Sequence, residues 1–203
     1  MRTMPKISIP PGWYLAVGLF TAITCAGLAA DLLTKHWAFQ ALGMPDESAY
    51  WVWQDVFGFQ TALNPGALFG ILEGQTLILV TVSLIFLTGI LVYVLFWAWR
   101  SLFLSAIFGM ITAGICGNLY DRLGWHGLLY SDFPVGHHAH RLGEQPIYAV
   151  RDWILCMLGT FHWPNFNIAD SLMVCSVILL LIHGLLFDTP SKGMPKEAGV
   201  PTE

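Results

Sequence analysis

The chain has 203 residues, is 56% hydrophobic and only 11% charged, and carries a mean hydropathy of +0.63 with a formal net charge of −4. A water-soluble domain holds about 25% charged residues, so this composition excludes an ordinary soluble globule and points to a chain that crosses a membrane several times. The mildly acidic balance also excludes the basic footprint that nucleic-acid binding demands.

Four charge-free runs are long enough to span, because a helix crossing the hydrocarbon needs about 17–25 apolar residues. The first predicted span covers about residues 14–30 and ends at Asp31. Arg2 and Lys6 precede it, but the run is long for a signal-peptide core and Leu28-Ala29-Ala30 is a poor cleavage site, so it reads as a retained helix. Residues 36–73 follow, rich in Trp, Phe and Gly, with alternation at Trp51-Val52-Trp53-Gln54-Asp55-Val56. That pattern predicts a few short strands lying on the membrane surface, and Asn64-Pro65-Gly66 is a turn signature. The second span, about 75–99, ends at Arg100, and the third, about 101–120, follows almost at once and ends at Asp121. A second segment outside the membrane, 123–150, contains Gly, Pro and His. The fourth span, about 168–187, ends at Asp188, and the Pro-containing tail 191–203 is expected to be disordered and cytoplasmic.

An even number of spans puts both termini on one side. Arg2, Lys6, Arg100, Lys192 and Lys196 share that side, which the positive-inside rule makes cytoplasmic. Every unusual polar residue near a span then falls on the opposite face: Asp31, Asn64, Gly66, Asn118, Asp121, Arg122, Asn167 and Asp170. The plain alternative is that these residues only cap helices. A carboxylate at a membrane helix end is costly to desolvate, however, and such residues line polar cavities or do chemistry. Asp152 and Asp170 lie 18 positions apart across that face. Two neighbouring carboxylates can share a proton, and that is the requirement for amide hydrolysis by an acid–base pair.

Four motifs occur in order: Asp31-Leu32-Leu33-Thr34-Lys35, Asn64-Pro65-Gly66-Ala67-Leu68-Phe69, Gly117-Asn118-Leu119-Tyr120-Asp121-Arg122 and Phe166-Asn167-Ile168-Ala169-Asp170, with Val150-Arg151-Asp152-Trp153 between the last two. Together they resemble the lipoprotein signal peptidase (signal peptidase II) family over about residues 14–187. The resemblance implies an aspartic endopeptidase of the bacterial inner membrane. It would remove the signal peptide of a prolipoprotein, cutting before a cysteine that already bears a diacylglyceryl group. It implies Asp152 and Asp170 as the catalytic pair, with Asn64, Gly66, Asn118, Arg122 and Asn167 lining the site and Asp31, Lys35 and Asp121 in support. No cofactor and no metal are implied, the partners are the lipidated precursor and membrane lipid, and a monomer is expected.

Three departures stand out: Leu68 where the family has a small residue, Trp153 after Asp152, and a stretch from 123 to 147 much longer than the family's link. The last predicts an inserted, mobile outer loop over or beside the cleft. The expected fold class is an all-α membrane protein: four transmembrane helices, a small extracytoplasmic β element and this insertion, in one membrane-embedded domain over residues 1–190.

Other constellations carry less. His137, His138 and His140 could ligate a metal, but no Cys or acid motif accompanies them, and they read as loop histidines. Cys25, Cys116, Cys156 and Cys175 lack CxxC spacing and read as free thiols. Asp121, at a helix C-terminus, faces the negative dipole end and needs donors such as Arg122. Asp152 is expected in a loop that approaches Asp170 at the head of the fourth span. The competing function is a non-catalytic binding protein or proton- or ion-coupled transporter with Asp31, Asp121 and Asp170 as a relay.

Overall fold

A computed structural model of the chain describes residues 10–46, 48–66, 74–97 and 100–187. Residues 67–69 of the second motif, Leu68 among them, lie outside the described residues, as do Arg2, Lys6, Trp99 and the tail from 188. Four helices are long and apolar enough to cross a membrane: α1 (Trp13–Leu42), α2 (Thr76–Trp97), α3 (Leu102–Arg122) and α4 (Ile168–Phe187). A four-stranded antiparallel sheet sits at one end of the bundle, in the order β1 (Tyr50–Trp53), β2 (Phe57–Asn64), β3 (Val150–Leu158), β4 (Phe161–Phe166).

α3 is the central helix, packed against α1, α4 and α2. Small residues let the backbones approach. A Cβ on Gly114 would sit 2.6 Å from the Ala169 carbonyl oxygen, and one on Gly117 would strike the Asp31 carboxylate. Such close approach stands in for the hydrophobic drive that lipid removes. Ser101 opens α3 by accepting the Leu104 N–H at 3.2 Å, a standard N-cap.

α1 runs 12 residues beyond its expected end. Its 30 residues make a rod of about 45 Å, longer than the roughly 30 Å hydrocarbon slab. Asp31, Lys35 and Ala38 are all fully buried in this extension, so one helical face continues inward past the first charge.

β3 is the middle of the assembly, and Val150–Leu155 are buried along its length rather than on alternate residues. Its Ala62↔Asp152 and Asn64↔Val150 pairs with β2 set the register at the site. Asp152 therefore stands on a strand, not in the loop expected. Trp153 and Ile154 pack on Ala38 of α1 with Phe59, Phe166 and Ile168, which glues the sheet to the helix ends.

The insertion is knit together rather than a plain loop. Phe133, Ala139, Ile147 and Ala149 form a small core completed by Met44, Leu63, Leu128 and Tyr130. Leu129 and Pro146 bridge its two limbs. Two of the three clustered histidines serve this packing. The His137 ring stacks on Phe133 at 4.5 Å and its Nδ1 accepts the Ala139 N–H, while His140 Nδ1 lies 2.8 Å from the Phe133 carbonyl oxygen. No group of three metal-ligating side chains occurs among the described residues.

This packing makes the insertion part of the folded unit. Phe133→Ala should cost about 3 kcal/mol, the range for truncating a buried aromatic, and lower the thermal unfolding midpoint in detergent. Val135→Ala, two residues away and 90% exposed, should leave the midpoint unchanged. Equal midpoints for both variants would show that the insertion contributes nothing to the fold.

Candidate active site

The site is assembled around one buried ammonium. Lys35 Nζ lies 2.7 Å from Asp31 Oδ2 and 3.1 Å from Asp121 Oδ2, and it donates to Asn118 Oδ1 at 3.0 Å. The ammonium thus has three oxygens close around it, two of them from carboxylates. Asp31 and Lys35 are one helical turn apart on α1, and Asp121 and Asn118 one turn apart on α3, so the lysine locks the two helices together.

Each acid it pairs with also accepts a backbone N–H. Asp31 Oδ1 accepts the Ala169 N–H at 2.9 Å, which fixes the start of α4. Asp121 takes a two-pronged contact from Arg151 through Nε at 3.0 Å and a terminal nitrogen at 2.8 Å, and it accepts the Arg151 backbone N–H at 3.0 Å. Asp121 is thus a brace between α3 and β3. Its donors are Lys35 and Arg151, not the neighbouring Arg122 expected from the sequence. Arg151 adjoins Asp152, so this contact also sets the position of that carboxylate. Sequence reasoning quoted Arg151 within a motif but gave it no role. A lone basic residue beside a candidate acid was the available signal.

Arg122 acts elsewhere. It donates to the Gly66 carbonyl oxygen at 2.9 Å, and the Gly66 N–H bonds to Asn64 Oδ1 at 3.0 Å. The turn signature is therefore tied to α3, and Asn64 Nδ2 is aimed at Asp152 Oδ2 at 3.3 Å.

Asp152 and Asp170 are brought together through asparagines. Asn167 Nδ2 donates to Asp152 Oδ1 at 2.6 Å and to Asn118 Oδ1 at 3.2 Å. Asn118 Nδ2 donates to Asp170 Oδ1 at 2.8 Å. At the head of α4, the Asp170 N–H bonds to Asn167 Oδ1 at 3.0 Å and the Asn167 N–H to Asp170 Oδ2 at 3.2 Å. That is a capping box, so the plain capping reading is correct for this pair as far as it goes. The cap also aims Asp170 at the same asparagines that hold Asp152.

Charge accounting separates the two halves. Lys35 and Arg151 balance Asp31 and Asp121. Arg122 interacts electrostatically with both Asp170 and Asp152 and balances one negative charge there. Burial, and next the Asp170 carboxylate, push Asp152 up to about 8. That direction favours the protonated form of Asp152 at neutral pH. Such a pair can take a proton from water at one carboxylate and give one to a carbonyl oxygen at the other. The transporter reading fits less well, because Asp31 and Asp121 are ion-paired with Lys35 and Arg151 and anchor the backbone at Ala169 and Arg151.

Two clefts open on the pair and share Asn64, Pro164 and Asn165 in their walls. One, of ≈ 290 Å³, runs past Asp170, Asn118 and Arg122 to Ile115, Met173 and Val174 on the bundle. The other, of ≈ 730 Å³, runs past Asp152 over the sheet. No residue of 123–149 lines either cleft, so the insertion packs beside the site and does not cover it.

Comparisons with known proteins agree with this architecture. The family model of signal peptidase (SPase) II matches residues 23–186. A lipoprotein signal peptidase of Rhodopirellula baltica is 40% identical over 170 residues, covering 81% of this chain and 70% of that protein. One from Clostridium novyi is 31% identical over 77% of this chain and 90% of its own. A solved bacterial membrane enzyme is similar over 91% of this chain and 96% of its own, with 26% identity and a TM-score of 0.66.

The raised Asp152 value has a signed consequence. The folded protein holds this proton more tightly than the unfolded chain, whose carboxyl titrates near 3.8. The resulting stability is complete below about pH 4 and is lost as pH rises to about 8, by at most about 1.4 kcal/mol per pH unit for one proton. The wild-type unfolding midpoint should therefore fall more steeply between about pH 5 and about pH 8 than that of Asp152→Asn. Parallel curves for the two proteins would show that Asp152 ionises freely in the fold.

Proposed function

The chain belongs to the signal peptidase II family, a membrane-embedded protease, and from that premise we propose that it is an aspartic endopeptidase acting on diacylglyceryl-modified prolipoproteins. The supporting observation is the bridged pair: Asn167 touches Asp152 directly and reaches Asp170 through its cap and through Asn118.

The reaction divides between the two acids. Asp170 stands at the N-terminus of α4 and accepts from Asn118 and from a backbone N–H, all of which stabilise its charge. It takes a proton from water, and the resulting hydroxide attacks the scissile carbonyl carbon. Protonated Asp152 gives its proton to the carbonyl oxygen as the tetrahedral intermediate forms. When the intermediate collapses, the C–N bond breaks and the carboxyl at Asp170 gives its proton to the leaving amine of the lipidated cysteine. The carbonyl re-forms, and its proton returns to Asp152. Arg122 Nε is buried without a partner among the described residues, beside the cleft. The Arg122 side chain lines the cleft, and Asn64 and Asn118 can bind peptide groups without adding charge.

Placement follows from the same reading. The sheet end faces outward across the inner membrane, both termini are cytoplasmic, and the site lies where a precursor's acyl chains can stay in lipid. The protein works as one membrane-embedded unit.

Three outcomes test this reading. Asp152→Asn and Asp170→Asn should each lower cleavage of a diacylated prolipoprotein by about 10²–10⁴-fold or more while the protein still folds, and Asp121→Asn should lower stability and yield first. A well-folded Asp121→Asn that is dead beside an active Asp152→Asn would reassign the pair. In the wild type, cleavage should fall as pH rises through about 8, where the Asp152 proton leaves, and EDTA should not change the rate. Loss of cleavage in EDTA with recovery on adding zinc would replace the aspartate pair with a metal mechanism.

A further inference from the structure

The two clefts differ in chemistry as well as position. The one beside Asp170 is walled by Ile115, Met173 and Val174 from the spanning helices. The one beside Asp152 takes no residue from any helix, and Asp46, Gln60, Thr61 and His162 line it alongside Pro45, Leu63 and Pro65. We propose that this polar groove holds the mature polypeptide just after the lipidated cysteine, and that Asp46 at its rim favours substrates with lysine or arginine there. The proposal rests on the peptidase reading above.

A lipoprotein precursor explains the division. The signal segment and the acyl chains are apolar and remain with the bundle. Only the stretch after the cysteine is polar and bound for water. With the scissile bond over Asn64, which lines both clefts, the polar stretch has one compatible path, past Asp152 and across the sheet.

The groove suits an extended chain. The pairing register breaks between Phe59 and Ala62 on β2, and between Ile154 and Cys156 on β3 against β4. Gln60 and Thr61 occupy the first break, and Asn165 lies opposite the second. Bulges of this kind take residues out of the ladder and re-aim their polar groups. Asn165 Nδ2 donates to the Gln60 carbonyl oxygen at 2.9 Å, spanning β3 and tying the two breaks together.

Asp46 is held in place rather than loose. Its carboxylate accepts the Ser48 N–H at 2.8 Å and the Ser48 hydroxyl, and its carbonyl oxygen accepts from Gln60 Nε2 at 3.4 Å. The Ser48 contacts hold the Asp46 carboxyl below the usual carboxylate range, so it is charged at neutral pH. Asp46 thus places a negative charge at the rim of the groove.

The test uses three diacylglyceryl prolipoprotein peptides identical through the cysteine and followed by Lys-Lys, Ser-Ser or Glu-Glu. Wild-type KM should be lowest for Lys-Lys and about two- to fivefold higher for Glu-Glu, the scale of an exposed ion pair, with similar kcat. Asp46→Asn should bring the three KM values together, and Asp46→Lys should invert their order. Equal KM values in the wild type would overturn the groove assignment. A preference that survives both substitutions would overturn the role of Asp46. Cleavage of none of the three by the wild type would overturn the peptidase reading and this proposal with it.

Discussion

A lysine ammonium with no solvent exposure, one turn beyond the first span's expected end, is the constraint on which the rest of the structure depends. Moving such an ion out of water costs about 20 kcal/mol in the idealised limit, and several kcal/mol after relaxation. The cost is offset only by close polar partners, and Lys35 has them in Asp31, Asp121 and Asn118. Those contacts fix α1 against α3. Asp31 in turn holds the backbone at Ala169, and Asp121 holds Arg151. Both proposed catalytic carboxylates follow directly: Asp170 is the residue after Ala169, and Asp152 the residue after Arg151. The ion cluster does no bond-breaking in this account, yet it determines where both acids stand.

The close approach of the helices is part of the same design. Gly117 lets the Asp31 carboxylate lie against α3, and Gly114 lets α4 come within contact of the same helix. With α1 and α4 both packed on α3 and on each other, the polar ends of three helices meet the buried strand β3. Asparagines then fill the junction. They suit it because each can donate to a carboxylate and accept elsewhere without adding a charge that burial would penalise. The charge of Arg122 stands close to both carboxylates.

Much of this was legible in the chain. The charge-free runs gave four spans, and the Asn and Asp motifs at their ends gave a convergent site, because polar residues are costly in lipid wherever they serve no purpose. The end of α1 was misplaced because Asp31 looked like a boundary. Asp31, Lys35 and Ala38 follow helical spacing, however, and a buried pair at i,i+4 can extend a helix through its own charges. β3 escaped notice as a strand because Val150–Leu155 are buried throughout, which removes the alternation that marks a half-exposed strand. Arg122 was assigned to Asp121 by adjacency, whereas helix geometry turns neighbouring residues to different faces. The insertion's small core rests on Met44 and Leu63 from distant parts of the chain, and no local pattern announces such contacts.

Replacing the central cation tests the account most directly. Lys35→Met keeps much of the side-chain volume and removes the charge, leaving Asp31 and Asp121 buried with one cation fewer. Thermal unfolding and prolipoprotein cleavage should both be measured on the purified variant. The account predicts a loss of about 3–5 kcal/mol and of cleavage together, since Asn118 and the backbone at Ala169 lose what positions them. A Lys35→Met protein that unfolds at the wild-type midpoint and cleaves at the wild-type rate would contradict it.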